Sequence, residues 1–107
     1  MIEFTVIDEA DQQFAAVLNQ RRVTIRLRYN LTTDRWAMDL SIDDQPVLHG
    51  RRIVTGVDLL AAFNFGIGVI FAFATAAGEA PDRDGLPSGL VRLYHTTEAE
   101  IADALAA

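Results

Sequence analysis

Cysteine and lysine are both missing from this chain of 107 residues. Without cysteine there is no disulfide, no thiolate nucleophile and no cysteine metal site, a composition that fits an intracellular origin. Without lysine there is no Schiff-base or phosphate-loop lysine chemistry, since all nine basic residues are arginine. Bases are also too few: 15 acids against them leave a net charge of −6 and a pI near 4.6. That balance argues against a duplex nucleic-acid binder on bulk electrostatics. No basic residues precede the apolar ones at Met1–Asp8, so no signal peptide is expected. The 19 residues from Leu59 to Ala77 carry no charge and are long enough to cross a bilayer. Their aromatic and β-branched residues alternate, however, with Phe65, Ile67, Val69, Phe71 and Phe73 two apart. That is a strand's spacing, so no stable membrane insertion is expected.

What is present is apolar enough to fold, at 50% of the chain, and long enough for one domain over residues 1–107 with a modest core. The firmest element is a hairpin. In Arg22–Tyr29, Val23, Ile25, Leu27 and Tyr29 fall on one face; Arg22, Thr24, Arg26 and Arg28 fall on the other. In Arg35–Ile42, Trp36, Met38, Leu40 and Ile42 oppose Arg35, Ala37, Asp39 and Ser41. Successive side chains of a strand point to opposite sides, so both segments read as half-buried antiparallel strands. The connector Asn30–Asp34 is rich in turn formers.

Around this hairpin, Ile2, Phe4 and Val6 form a short first strand. Asp11–Leu18 allows a helix on alanine content, but the Asn19-Gln20 turn and the strand beyond it favour a second hairpin. Asp43–Pro46 reads as a tight turn. Val47–Val54 reads as a strand interrupted at Gly50 by a bulge or close approach. Asp58 can cap one helical turn. A buried strand follows at Phe65–Ala74, then a long glycine- and proline-containing acidic loop at 75–89, expected to order only on assembly. Leu90–His95 is the last strand, and Thr97 with Glu100 has capping-box spacing for a short helix in which Ile101 and Leu105 share a face. The sum is a mainly β chain: about seven strands in a small antiparallel barrel or sandwich with a short C-terminal helix.

The chemistry of an enzyme is thin. His49 and His95 lie inside strands, and Ser41 and Ser88 lie outside any nucleophile-elbow context. Asp82-Arg83-Asp84-Gly85 opens like a calcium loop but lacks the third acid and the closing glutamate. No catalytic residue, cofactor or metal is called for. The charge distribution is more informative. Residues 21–52 carry seven arginines against four acids, while 53–107 carry seven acids against two arginines. The Arg22, Arg26 and Arg28 face, extended by Arg51, Arg52 and Arg35, offers fixed forks for carboxylates of a partner, with Asp82 and Asp84 as acidic counterparts. An internal ladder with Asp39 and Asp43 is the alternative use of those arginines, and phosphate binding is a third.

Five features stand in a fixed order: Gln13-Phe14, Leu27–Asn30, Trp36–Leu40, Pro46–Gly50 and Thr55–Leu60, with Leu93-Tyr94 after the glycine-rich acidic loop. In this order the chain resembles the small phage tail proteins of the cyanophage baseplate plug family, over roughly Phe4 to Tyr94. The resemblance implies a non-enzymatic structural subunit of a contractile tail baseplate, in the virion tail and, during assembly, in host cytoplasm. It implies a plug at the central hub and tube end, held by hub, tube or spike subunits or by copies of itself. Its imprint is on the fold positions Tyr29, Trp36, Leu40, Gly50, Gly56 and Asp58. The chain departs from the family pattern at Asn64–Val69 and in its alanine-rich end, Ala99–Ala107. Two other readings remain: a small barrel binding an apolar ligand between Phe65–Phe73 and the central hairpin, and a minor enzyme centred on His49 or His95.

Overall fold

The computed structural model describes residues 1–63, 65–97 and 99–101. Its strands are β1 (Ile2–Glu3), β2 (Asp11–Leu18), β3 (Arg21–Asn30), β4 (Arg35–Ile42), β5 (Gln45–Arg52), β6 (Val69–Ala74) and β7 (Val91–Thr96). They form two antiparallel sheets, β2-β3-β4-β5 and β1-β7-β6. The sheets share one core but do not close, so of the two architectures the alternation allowed, the sandwich forms and the barrel does not. Residues 99–101 are helical. Thr97 caps them by accepting the Glu100 N–H at 3.1 Å, as the capping-box spacing requires. Leu105, Asn64 and the end of the alanine-rich tail lie outside the described residues. No described helix is long and apolar enough to cross a membrane.

The four-stranded sheet is a meander in which every turn is local. Asn19 and Gln20 have φ of 51° and 65°, and Asp43 and Asp44 have 50° and 65°. Positive φ at both central residues is the two-residue hairpin geometry whose twist matches the flanking strands. The second turn is therefore Asp43-Asp44 alone; Gln45 and Pro46 already belong to β5, with Pro46 opposite Ser41. The inner face is the one the alternation selects. Val23, Ile25, Leu27, Trp36, Met38, Leu40 and Ile42 are all buried, and Tyr29 is half-buried. At Gly50 the backbone turns to φ 72° and the β4–β5 register slips, which is the bulge expected there.

Two expectations fail in the other sheet. The strand expected from Phe65 begins only at Val69, because Gly66 and Gly68 take φ of 72° and 93° and break the extended run. It is also buried on one face only, not throughout as expected. Ile70 and Ala72 are in the core, whereas Val69 and Phe71 are half-buried and Phe73 is 59% exposed. Phe71 stacks on Tyr94 outside the sandwich, with ring centroids 5.5 Å apart. The aromatic spacing names a strand but selects no buried side, since both parities of β6 are apolar.

The segment 75–89 is not a strand or helix, as expected, but neither is it a loop waiting for a partner. Leu86 is buried, and the Trp36 indole N–H donates to the Asp82 carbonyl at 2.8 Å. Arg83 lies over the Trp36 ring at 5.6 Å, and its backbone N–H donates to Asp34 Oδ1 at 3.3 Å. The segment folds back as a cap over one end of the core.

Candidate functional site

Strand register lays the outer face of the four-stranded sheet out in rows. One row runs Asp11, Arg28, Ala37, Arg52; the next holds Gln13, Arg26 and Asp39; then come Ala15, Thr24, Ser41 and Pro46. The face is built largely of small or paired polar groups, and an open groove lined by Gln13, Thr24, Arg26 and Ser41 runs across it. Arg26 is directly opposite Asp39 but reaches diagonally to Asp11, donating from Nε at 2.9 Å and from a terminal nitrogen at 2.6 Å. Arg28 takes Asp39 in turn, at 3.0 Å from one terminal nitrogen, with Nε in ion-pair contact at 2.9 Å. These are fork-to-carboxylate pairs of the kind arginine favours.

The carboxyls respond accordingly. The Arg26 hydrogen bond holds Asp11 below the usual carboxylate range, and Asp11 in turn raises Arg26. Burial pushes Asp39 up, but hydrogen bonds from Arg28 and the Gly50 N–H (2.7 Å), with the Arg28 charge, bring it below its ordinary value. The internal ladder is thus the use made of Arg26 and Arg28. Asp39 was a legible partner; Asp11 was not, because its role depends on the β2–β3 register.

The other candidate residues are less committed. Arg22 and Asp44 are 3.8 Å apart and both exposed. Arg51 donates to the Leu59 carbonyl at 3.2 Å, tying β5 to the following turn, while Arg52 is exposed. Asp82 spends its carboxylate on the Gly85 N–H at 2.6 Å, and Asp84 is exposed. That cap explains the calcium-like pattern in structural terms, and no cluster of metal-ligating side chains occurs among the described residues.

The fold positions each have a physical task. Tyr29 donates its hydroxyl to Asp34 at 2.6 Å, which raises the Tyr29 pKa and lowers that of Asp34. Tyr29 and Trp36 meet edge to face at 5.6 Å, and together they form the seat for Arg83. Leu40 is core. Gly56 donates to Ala72 and Asp58 caps the Leu60 N–H at 3.0 Å, which docks the 55–60 segment on the edge of β6.

Neither histidine completes a catalytic arrangement. His95 is buried with Nε2 2.6 Å from the Ile67 carbonyl, so it carries its proton there and works as a structural donor. His49 Nδ1 is 3.2 Å from Asp39 Oδ1 in an open groove of about 430 Å³ bordered by Gln13, Arg26 and Ser41. Among the described residues no hydroxyl is hydrogen-bonded to it. The apolar-ligand reading loses its premise as well: Phe71 and Phe73 face away from the central hairpin, and Ile67, Ile70, Trp36 and Met38 fill the space between the sheets.

A search among curated proteins finds no match to this chain. A family model described as "Cyanophage baseplate Pam3 plug gp18" matches residues 1–98, which takes in every strand of both sheets and all five ordered sequence features. The chain belongs to the cyanophage baseplate plug family.

Proposed function

We propose that the chain is a structural, non-enzymatic subunit of a contractile tail baseplate, in a phage or a prophage, that plugs or bridges the central hub and tube end. It works through protein contacts with hub, tube or spike subunits. The observation that carries this reading is the family match over residues 1–98, spanning the whole sandwich. The surface is consistent with such a role. Ordered arginine–carboxylate pairs on the outer face give a docking surface, while Arg22, Arg52 and Asp84 are the exposed charges placed to reach a neighbour, with Arg26, Arg28, Arg51 and Asp82 holding the structure in shape. The half-buried Phe71 and the exposed Phe73 add an apolar patch on the opposite side of the sandwich. The site of action is the virion tail baseplate, reached from host cytoplasm during assembly.

The test is a deletion in the host phage or prophage, with purified tails analysed by mass spectrometry and infection assay. Tails lacking the subunit are expected to have incomplete or unstable hub ends and to lose infectivity. Fully infective tails with baseplates of otherwise unchanged composition would overturn the reading.

A further inference from the structure

The sandwich has four outer strand edges, and three of them are closed to pairing. On β5, Pro46 lacks an N–H, Gly50 bulges and the register slips twice. On β6, Gly56 and Leu59 already donate to Ala72 and Ile70 at 2.9 and 2.8 Å. On β1, the strand has only two residues.

The fourth edge is β2, and it has none of these defences. It runs eight residues in unbroken register with β3, without proline, bulge or lysine, and its one charge is the first residue, Asp11. Leu18 and Arg21 flank a two-residue turn, so they form a hydrogen-bonded pair, and every second residue back along β2 repeats it. The Tyr29 N–H donating to the Ala10 carbonyl at 2.8 Å keeps the same phase. Gln12, Phe14, Ala16 and Leu18 therefore bond to β3. The N–H and C=O groups of Asp11, Gln13, Ala15 and Val17 point the other way. None of these eight groups has a hydrogen-bond partner among the described residues, and all four residues are exposed, Val17 at 70%. A bare edge of this kind is a template for another strand.

We infer that β2 pairs antiparallel with β2 of a second copy of this chain, about a two-fold axis at Phe14. That register sets Asp11 opposite Val17 of the second copy and Gln13 opposite its Ala15, so all eight edge groups of each strand find partners. It places no like charges face to face. Beyond the second copy's Val17, the β2–β3 register puts its Arg22 next in the row from Asp11. On the inner side the axis brings the two half-buried Phe14 rings together, each already resting on Phe4 at 5.5 Å. The pair also closes: the continuous sheet ends on both sides in a bulged β5, which cannot extend it. A β2-to-β5 contact, the route to an open filament, meets Pro46 and the bulges.

The full chain alone decides this, independently of the baseplate reading. Its mass in solution is expected to be twice 11.8 kDa, and the Gln13, Ala15 and Val17 amides to be protected from exchange. Ala15→Pro removes an edge N–H that β3 does not use and is expected to halve the mass and expose the Gln13 and Val17 amides. Val17→Asp, on an exposed side chain, sets two carboxylates opposite each other and is expected to do the same whether or not the proline variant folds. A monomer at every concentration, or a dimer indifferent to folded variants, would overturn the inference. So would edge amides protected only when a hub or tube subunit is added, which would assign β2 to a partner's strand.

Discussion

The two sheets of this sandwich are assembled in different ways. The four-stranded sheet is made of consecutive strands joined by short turns, and each strand has one apolar and one polar parity. The three-stranded sheet gathers strands from both ends of the described chain, with β1 beside β7, and depends on the 55–60 and 75–89 segments to cover its edge and end. In the first, local pattern is enough to specify structure. In the second, which residues lie inside is decided by contacts far away in sequence. The exposed surfaces divide likewise: ordered charges on the outer face of the first sheet, half-buried and exposed aromatics on that of the second.

The largest effect is expected where the two regions join. Trp36→Ala removes a fully buried ring of β4 and the donor that holds the 75–89 cap. It should destabilise by about 3–5 kcal/mol in urea unfolding and speed amide exchange across the cap. A loss confined to the four-stranded sheet, with the cap still protected, would break the coupling. Next come two glycines, one from each region. A Cβ at Gly68 would lie 2.5 Å from the Thr96 carbonyl with φ at 93°, so Gly68→Ala should cost at least about 3 kcal/mol. Gly50 has φ 72° but open space around it, and Gly50→Ala should cost only about 1–2 kcal/mol. Equal costs would remove the distinction between long-range and local constraint.

Acid should act through the four-stranded region, where Asp11, Asp34 and Asp39 are all held below their ordinary value of 3.8. A depressed folded pKa means their contribution is present above the unfolded value and is lost as pH falls through the folded one. Unfolding midpoints should therefore show no loss from these groups between about pH 8 and about pH 5 and should fall below about pH 4. Asp39→Asn should lower stability at neutral pH, and its gap from the native chain should close in acid. The smallest effect belongs to the outer aromatic patch: Phe73→Ser should change stability by less than about 0.5 kcal/mol, as for other exposed positions.

Legibility in the sequence follows the same division. Val23 to Tyr29 and Trp36 to Ile42 announce both strands and the buried side, because only one parity of each is apolar. In β6, Ile70 and Ala72 compete with Val69, Phe71 and Phe73, and periodicity has no means of choosing between two apolar faces. The loop composition of 75–89 was plain, but its anchoring was not, since the partners Trp36 and Asp34 come from another sheet. Among the charged residues, the shared face of Arg22, Arg26 and Arg28 could be read directly. That Arg26 takes Asp11 and leaves Asp39 to Arg28 required the register. The family, carried by five ordered features, was legible before any contact was known.

The central claim, that this sandwich acts by filling a place in a tail baseplate, is tested most directly by imaging purified tails at side-chain resolution. Density for this fold is expected at the junction of hub and tube, with Arg22, Arg52, Asp84 or the Phe73 patch in contact with neighbours. Complete baseplates with no such density, from particles in which the gene is expressed, would contradict it.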